Sequence, residues 1–329
     1  MKLAILSFAH MHAHSYAQAI TRQQGVELLG IWDDDHSRGK EAANTYRTVF
    51  YENLDSLLKT NIDAVIICSE NVNHKPLVVQ AAEHKKHILC EKPISTEIDD
   101  AKVMIEACKI NNVILQMAYP VRFIPAVEAA IEKVQAGEIG DIIAINASNH
   151  GQMPGSWFVE KEKSGGGAAT DHIVHIMDVV RVMLQAEAEA VYAYLDTLFY
   201  PIDVEDAGQV MIEMGKGTIL NIDPSWSRPR TFPTWGDVLM EIVGTKGTIS
   251  VDGFKDATIY YNDADCQVSH LPWGIDMDEA LIRDFIDCLK TKREPTISGE
   301  DGLRTLEVVK AAYQANDESA FVKVLKEEV

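Results

Sequence analysis

Residues 88–93 have the sequence Ile-Leu-Cys-Glu-Lys-Pro, in which a short apolar run ends at a lysine followed by a proline. The apolar run predicts a buried strand, and Lys92 stands where that strand reaches the surface. In open α/β sheets, ligands bind at the carboxyl ends of the strands. Lys92 is therefore a candidate catalytic residue, although a surface lysine before an ordinary turn would have the same local sequence.

The sequence on either side predicts a parallel sheet within residues 1–120. Short apolar runs alternate there with helical patterns. Strands followed by helices at this spacing indicate right-handed βαβ units. Strands are predicted at residues 3–7, 26–32, 63–68, 87–90 and 114–118, and helices at residues 14–23, 36–46, 75–84 and 98–111, the last with Thr96 as its cap.

Residues 121–329 have a different pattern and are predicted to form a second domain. Strands alternate more freely and are separated by glycine-containing turns at residues 215–217 and 244–247, as in an antiparallel sheet. Ser298, three residues before Asp301, is a capping signal for the last helix. Helices are predicted at residues 125–135, 278–289 and 300–316, and strands at residues 142–148, 190–195, 209–214, 218–222 and 239–243.

Composition excludes several classes of partner. The chain has 329 residues, enough for two domains, with 47% hydrophobic and 24% charged residues, as in a soluble globular protein. The net charge of −20 opposes binding to nucleic acid and to anionic membranes. Five scattered cysteines without CxxC spacing predict reduced thiols and a cytoplasmic protein. The apolar run at residues 3–6 is too short for a signal peptide, and no run is long enough to span a bilayer.

An acidic cluster after the second predicted strand is the first sign of a dinucleotide site. Asp33 ends that strand, where an acid can bind the ribose hydroxyls of a dinucleotide. Asp34 beside it would repel a 2′-phosphate, so NAD(H) is expected rather than NADP(H). Arg38, within reach of the same corner, argues weakly the other way. Alternatively, these acids only cap the following helix.

The glycine turn of such a site is missing. The loop after the first strand contains Ser7-Phe8-Ala9-His10-Met11-His12 in place of GxGxxG, and the fingerprint alone would argue against a Rossmann fold. Ser7 and Ala9 are small enough for close approach of a pyrophosphate, whereas His12 at the third glycine position is not. His10, His12 and His14 also suggest a transition metal, but no cysteine or carboxylate cluster accompanies them. We expect no metal, and His10 or His12 either binds cofactor or substrate or simply stands at a helix terminus.

Residues 165–178, with the sequence Gly-Gly-Gly-Ala-Ala-Thr-Asp-His-Ile-Val-His-Ile-Met-Asp, form the second informative stretch. Asp171, His175 and Asp178 fall at i, i+4 and i+7, on one face of an otherwise apolar helix. A carboxylate and an imidazole on one stripe can serve as an acid/base pair. The commoner alternative is a capping acid and a core histidine. His172 points about a quarter turn away and is the weaker candidate.

Taken in order, these motifs resemble those of the glucose-fructose oxidoreductase/inositol dehydrogenase (Gfo/Idh/MocA) family over nearly the whole chain. Residues 91–93 match its EKP motif, and residues 165–178 are similar to its GGGxLxDxGxHxxD motif. His172 departs from this pattern, because the family usually has glycine or a small residue there. Further matches are residues 67–74 to the TPNxxH turn, 121–125 to RFxP, 137–140 to GxIG, 241–247 to EIxGTxG and 298–302 to SGEDG.

The resemblance implies a Rossmann-type NAD(P) domain, an α+β domain with a large, open, mostly antiparallel sheet, and pairing of that sheet in a homodimer or homotetramer. It implies hydride transfer between nicotinamide and a sugar, cyclitol or related polyol. Lys92, Asp171 and His175 match the family's catalytic residues, and Arg122 either positions substrate or bridges the domains. The remaining residues expected at the cofactor are the loop from Ser7 to His12 with Phe8, together with Ser69, Asn71, His74, Glu91 and Pro93, and His172 is expected at the pocket floor.

Two further functions were left open by the sequence. One is a glycosidase that retains NAD and oxidises a sugar hydroxyl transiently, and the other is a ligand-sensing regulator without catalysis. Retention of the Lys92, Asp171 and His175 set argues against the regulator. The aromatic and basic residues of the second domain either line a sugar pocket or pack loops, namely Trp157, Trp226, Trp235, Trp273, Arg228 and Arg230.

Overall fold

A parallel six-stranded sheet is built from the first 118 residues of the computed structural model. The strand order is β3-β2-β1-β4-β5-β6, in which β1 and β4 are the central neighbours. This order confirms the Rossmann-type sheet, and its topological switch point lies between β1 and β4. The strands are β1 (Lys2–Leu6), β2 (Glu27–Trp32), β3 (Val49–Phe50), β4 (Ala64–Ile67), β5 (His87–Glu91) and β6 (Leu115–Ala118).

Five helices connect these strands. The predicted helices at residues 36–46 and 98–111 have the observed bounds, whereas the first helix begins at His12, two residues before its predicted start. The short elements β3 and α3 were not predicted, because two and five residues are too few for a periodic pattern to be recognised. The helices are α1 (His12–Arg22), α2 (His36–Tyr46), α3 (Leu54–Leu58), α4 (His74–Glu83) and α5 (Ile98–Asn111).

The apolar runs of β4 and β5 form strands because the helices cover both faces of the sheet. All four residues of β4 are buried, as are the last four of β5. Such continuous hydrophobic sequence is typical of central parallel strands. The sheet therefore delivers the residue after Glu91, the candidate Lys92, to its carboxyl edge.

The second sheet has seven strands in the order β12-β11-β7-β10-β9-β8-β15. It is mostly antiparallel, as predicted, and β7 and β10 are its parallel pair. Helix α6 (Pro125–Gln135) precedes β7. The short α7 (Lys161–Ser164) and the long α8 (Ala168–Leu184) follow it. The strands are β7 (Ile142–Ser148), β8 (Ala188–Asp196), β9 (Ala207–Met214), β10 (Ile219–Asp223), β11 (Leu239–Gly244), β12 (Gly247–Asp252) and β15 (Val322–Lys323).

The two faces of this sheet differ. One face packs against α8 and α10 (Gly299–Glu318), and its residues alternate with outward-facing ones along β8 and β9. The outward face carries large apolar side chains that are more than a third exposed. They are Ile143, Tyr192, Tyr194, Met211 and Ile219.

Helices α9 (Met277–Thr291) and α10 close the chain. Ser298 and Asp301 form the predicted capping box at the start of α10. The predicted cap of α5 was wrong, because Glu97 rather than Thr96 is the N-cap and makes no side-chain cap bond. Helix α9 packs against α1, and Phe285 contributes to the core of the first sheet. A division near residue 120 therefore separates the sheets but not the hydrophobic cores.

The structure describes residues 1–255, 257–262, 267–272 and 276–326. Within residues 256–275 only the backbone of the hairpin β13 (Ala257–Asn262) and β14 (Gln267–Pro272) is described, so Trp273 lies outside the described residues. In the described part of the chain, every helix is too short or too polar to cross a bilayer.

Candidate active site

A cavity of about 550 Å³ lies at the carboxyl end of β5, beside the first part of α8. Lys92, Asp171, His172 and His175 all line it, so the structure brings the predicted catalytic residues together. His10 and His12 from the first loop line the same cavity. Its other walls are largely apolar and include Met11, Val121, Phe158, Trp235, Val238, Phe254 and Met277.

Lys92 enters the cavity directly from the end of β5. Its side chain is buried, and its ammonium forms an ion pair with the carboxylate of Asp171. The same ammonium lies 3.3 Å from the backbone carbonyl of Asp171, which accepts a second bond. Lys92 and Asp171, which are 79 positions apart in the sequence, therefore form an ion pair at the site.

Asp171 is a permanent carboxylate in this arrangement. Its Oδ1 pairs with Lys92, and its Oδ2 accepts a hydrogen bond of 3.0 Å from Nε1 of Trp226. Burial acts to raise the pKa of Asp171, but the Lys92 ammonium, together with His172 and the hydrogen bond from Trp226, outweighs burial and holds that pKa well below its usual range. Because both oxygens are occupied, Asp171 fixes the lysine rather than taking a proton itself.

His175 lies one helical turn after Asp171, on the same stripe of α8. Burial, reinforced by the charge of Lys92, lowers the pKa of His175 well below its usual value, so the imidazole is neutral near pH 7. Its Nδ1 is buried without a hydrogen-bond partner, and the ring packs edge-on against Tyr119 at 6.0 Å. A neutral imidazole beside an ammonium can accept a proton from a hydroxyl group.

His172, which was expected at the pocket floor, is one of the residues that line the cavity. Its Nδ1 donates a 2.8 Å hydrogen bond to the carbonyl of Pro224, which fixes the ring. The indole of Trp235 stands edge-on to this ring at 5.6 Å. His172 is therefore held as a wall of the cavity, and burial lowers its pKa.

The loop from Ser7 to His12 runs between β1 and α1 without glycine. Ser7 adopts a left-handed backbone conformation with φ of 71°, the kind of place where glycine is usual. Phe8 is buried against His14 and Tyr46, so its side chain is not available to a ligand. Ala9 accepts a 3.1 Å hydrogen bond from Nε1 of Trp157, a residue of the second part of the chain.

Asp33 lies at the end of β2, as predicted, but its carboxylate is already engaged by neighbouring groups. Its carboxylate is fully buried and is bound by Arg38, at 2.7 Å and 2.9 Å, and by the backbone N–H of Phe8 at 2.7 Å. The carboxylate is therefore not free to accept from ribose hydroxyls in this conformation. Asp34, half exposed, lines a second cavity of about 460 Å³ together with Ser69 and presents a carboxylate there.

Two other predicted cofactor residues form hydrogen bonds to the backbone of loops near these cavities. Asn71 donates a 2.8 Å hydrogen bond to the carbonyl of Ser164. His74 is fully buried and donates to the carbonyl of Pro93 at 2.9 Å, which holds the turn after Lys92. His74 lines neither of these two cavities, so it supports the site from behind.

Arg122, predicted at the substrate or between domains, is engaged away from the cavity. Its guanidinium pairs with the buried Asp178 and donates a 2.7 Å bond to the carbonyl of Thr296. Asp178, the third polar residue of the α8 stripe, is thereby used for a structural ion pair. Both partners belong to residues 121–329, so these contacts hold Arg122 within the second part of the chain rather than between the two sheets.

The histidine cluster suggested by the sequence is partly assembled. Ligand atoms of His10, His12 and Glu91 lie within 4.8 Å of one another, so Glu91 supplies the carboxylate that the sequence did not reveal. His14 is not part of this group and contacts Tyr46 instead. Glu91 is already bound by Tyr16 at 2.6 Å and His12 at 3.1 Å, so its charge is satisfied without a metal.

The sequence did not predict the hydrogen bonds that two aromatic residues make to the acids of the site. Tyr16, which the sequence did not single out, binds Glu91. Trp226, which the sequence had left as either a pocket residue or a loop-packing residue, binds Asp171. Both side chains are fully buried. An aromatic residue in a helix or loop has no sequence pattern that separates a hydrogen-bonding role from core packing.

Comparison with known proteins gives two family matches that together span most of the chain. Residues 4–119 match the model of the oxidoreductase family with an NAD-binding Rossmann fold, and residues 127–250 match the GFO/IDH/MocA C-terminal domain. Myo-inositol 2-dehydrogenase of Thermotoga maritima is 30% identical over 80% of this chain and 80% of that protein. The 2,7-anhydro-N-acetylneuraminate hydratase of Escherichia coli is 29% identical over 72% of this chain and 63% of that protein.

Among solved structures, GenD2 from gentamicin A biosynthesis, in complex with NAD, superposes with a TM-score of 0.91. The match covers 99% of this chain and 96% of that one, at 23% identity. At that identity the likeness shows a shared fold.

Proposed function

The chain belongs to the Gfo/Idh/MocA oxidoreductase family and is a dehydrogenase acting on CH–OH groups, and we propose that it transfers hydride between NAD(H) and a ring hydroxyl of a sugar or cyclitol. The observation that carries the proposal is the shared cavity of Lys92, Asp171 and His175, with Lys92 paired to Asp171. The same three residues argue against a ligand sensor without catalysis, because a sensor has no need of a proton-transfer set.

The residues present fit a nicotinamide dinucleotide. Two cavities open at the carboxyl edge of the parallel sheet, one lined by Asp34 and Ser69 and the other by Lys92 and His175. Such a pair can hold the adenosine and nicotinamide ends at the switch point of the sheet, with the loop from Ser7 to His12 between them. The bound cofactor supplies the hydride acceptor or donor, which no side chain provides.

The protein's own groups handle the proton and the charge. His175, neutral and beside the cavity, takes the hydroxyl proton in the oxidising direction and returns it in the reducing direction. The Lys92 ammonium stabilises the alkoxide that develops on the same oxygen. Asp171 holds the ammonium at that point through their ion pair.

Cofactor choice is proposed from the charges at the adenosine cavity. Asp34 presents a carboxylate there, and the nearby Arg38 is engaged by both Asp33 and Asp34. A guanidinium already paired with two carboxylates, one of them half exposed in this cavity, disfavours a 2′-phosphate. NAD(H) is accordingly proposed over NADP(H).

A redox-neutral reaction is the second candidate. The sequence had suggested a glycosidase that retains NAD and oxidises a sugar hydroxyl transiently. The similarity to a hydratase favours a redox-neutral reaction of this general kind. Under this alternative the same Lys92, Asp171 and His175 set would act on a sugar hydroxyl, but product would form without net accumulation of NADH.

The proposed partners are a small polyol and further copies of this chain. The outward face of the second sheet, with Tyr192, Tyr194 and Met211 among its exposed apolar residues, is proposed to pair subunits in a homodimer or homotetramer. The four described cysteines are free thiols, which supports a cytoplasmic location.

The test is a scan of sugars, cyclitols and their keto forms while nicotinamide absorbance is followed. Accumulation of NADH with one compound class supports the proposal. Product detected chromatographically at constant absorbance supports the redox-neutral alternative. Activity that is equal in wild type and Lys92→Ala contradicts both.

A further inference from the structure

We propose that His12 and Tyr16 are positioning residues that hold Glu91 and, through it, set the backbone from which the catalytic Lys92 projects. The inference rests on the proposed function, because it concerns the lysine of that reaction. It also gives a use to the histidine that stands where a dinucleotide-binding loop usually has its third glycine.

The contacts form a continuous chain from α1 to Lys92. Tyr16 donates its hydroxyl proton to Oε1 of Glu91 at 2.6 Å, and Nδ1 of His12 lies 3.1 Å from the same oxygen. The other oxygen, Oε2, accepts from the backbone N–H of Lys92 at 3.1 Å. One carboxylate therefore links the first turns of α1 to the peptide that carries the lysine.

Burial makes these contacts obligatory. Glu91 and Tyr16 have no exposed surface. A buried carboxylate requires hydrogen-bond partners or an opposite charge, and removing one partner leaves the other unsatisfied. In the folded state, these partners therefore hold the Glu91 carboxylate in one position.

The titratable groups that face His12 come from three parts of the structure. Glu91 faces it from β5, Asp278 faces it from α9, and the ring of His10 lies 4.6 Å away in the same loop. Burial opposes protonation, but the carboxylates of Asp278 and Glu91 raise the pKa of His12 to about 9. The Lys92 ammonium acts weakly in the opposite direction. His12 is therefore an imidazolium near pH 7.

His10 has a different protonation state. Burial lowers its pKa to about 3, and its Nδ1 accepts a 3.2 Å hydrogen bond from the backbone N–H of His12. A neutral His10 thus fixes the backbone of His12, while the charged His12 ring fixes Glu91. His10 therefore positions His12, and His12 in turn positions Glu91.

This arrangement gives a physical reason for the missing glycine. A glycine at the third position permits close packing of helix and strand but offers no side chain. Here the His12 side chain crosses from the start of α1 to the end of β5 and supplies a charged contact instead. The loop and the catalytic strand are consequently fixed to each other by polar bonds.

The decisive experiment compares His12→Gln and Tyr16→Phe with wild type and with His14→Ala. His14 lies on the same helix, but its ring contacts Tyr46 and Phe8 rather than Glu91. We expect kcat to fall by about 10–100-fold in the two test variants, since small displacements of a catalytic group have effects of this size. NADH affinity, measured by fluorescence titration, should change little, and His14→Ala should match wild type.

The pH profile supplies a readout that a merely structural role would not move. In wild type, His12 loses its charge as pH rises through about 9, so the positioning of Lys92 weakens there and kcat falls. In His12→Gln no such titration occurs, and this limb of the profile should be displaced. Tyr16→Phe retains His12 and provides a second variant if His12→Gln does not fold.

Three outcomes would overturn the inference. The first is a wild-type kcat in both test variants, and the second is an unchanged alkaline limb in an active His12→Gln protein. The third is a stoichiometric transition metal in purified wild type, found by elemental analysis and lost in His12→Gln. Failure of the proposed function itself is distinguishable, because wild type would then show no nicotinamide turnover with any compound tested.

Discussion

Trp226 donates a hydrogen bond of 3.0 Å from its indole Nε1 to Oδ2 of Asp171 while its side chain is completely buried. Asp171 in turn pairs with Lys92 through its other oxygen. The indole therefore determines how the carboxylate is oriented, although it does not line the cavity. A substitution that removes the indole N–H but keeps an aromatic ring separates the hydrogen bond to Asp171 from the packing of the buried side chain.

Trp226→Phe should lower kcat by about 10-fold or more, because a hydrogen bond to a charged group contributes about 1.5–3 kcal/mol. The loss should fall on kcat rather than on the KM for cofactor. Trp157→Phe is the matched control, since it removes another buried indole bond, to Ala9, in the cofactor loop. Steady-state kinetics check both, and a wild-type kcat in Trp226→Phe would show that the indole bond is not needed to orient Asp171.

His175→Ala should reduce turnover by about 10²–10⁴-fold, the usual effect of losing a general acid/base. The pKa of His175 is lowered well below its usual value by burial and by Lys92, so the folded enzyme keeps a neutral base below pH 6.5. The activity of wild type should accordingly stay level as pH falls from 8 through 6.5 and decline only at lower pH. A profile measured in overlapping buffers checks this sign.

His84→Ala is the control for that experiment, because His84 contacts Asp55 on the surface away from the cavity. Its rate and profile should match those of wild type. An acidic limb centred at or above pH 6.5 in wild type would contradict the assignment of His175 as the base.

The stripe on α8 and the strand before Lys92 were predictable because each is a local pattern. Asp171 and His175 are four residues apart on one apolar helix, and Ile88, Leu89 and Cys90 form a buried run that must end at a sheet edge. Local periodicity gives both the element and the face, so these predictions needed no knowledge of distant residues.

Contacts between distant residues were not predictable in the same way. The sequence offered no carboxylate near His10 and His12, yet Glu91, 79 residues after His12, lies against them. Likewise, Asp33 occupies the expected position at the end of β2, but Arg38 already binds its oxygens. Whether a side chain is free depends on its three-dimensional neighbours, which spacing along the chain does not specify.

Asp34→Ser should raise the use of NADP relative to NAD by about 10-fold or more, because a like charge beside the 2′-phosphate is removed. Arg38 also loses one of its two carboxylate partners, at 3.0 Å, and becomes available to a phosphate. The ratio of kcat/KM for the two cofactors is the measurement.

Asp35→Asn removes a neighbouring charge while keeping the cap of α2, so it controls for net charge. Its cofactor ratio should stay near that of wild type. An equal shift in both variants would mean that general electrostatics, rather than Asp34 at its position, governs the choice of cofactor.

Asp178→Asn should destabilise the protein by about 3–5 kcal/mol, because it leaves the buried guanidinium of Arg122 without its opposite charge. Arg122 is buried and Asp178 has no exposed surface, so water cannot replace the lost partner. The free energy of unfolding in urea measures the loss. The double variant Arg122→Met/Asp178→Leu removes both charges and should recover much of the stability.

The kinetics of these variants decide between the two roles that the sequence left open for Arg122. If Arg122 only connects Asp178 to the Thr296 carbonyl, the folded double variant keeps the substrate KM of wild type. If Arg122 instead contacts substrate, that KM rises in the double variant even where its unfolding free energy matches wild type. Because the guanidinium is fully engaged by Asp178 and Thr296 and is absent from the cavity lining, we expect the first result.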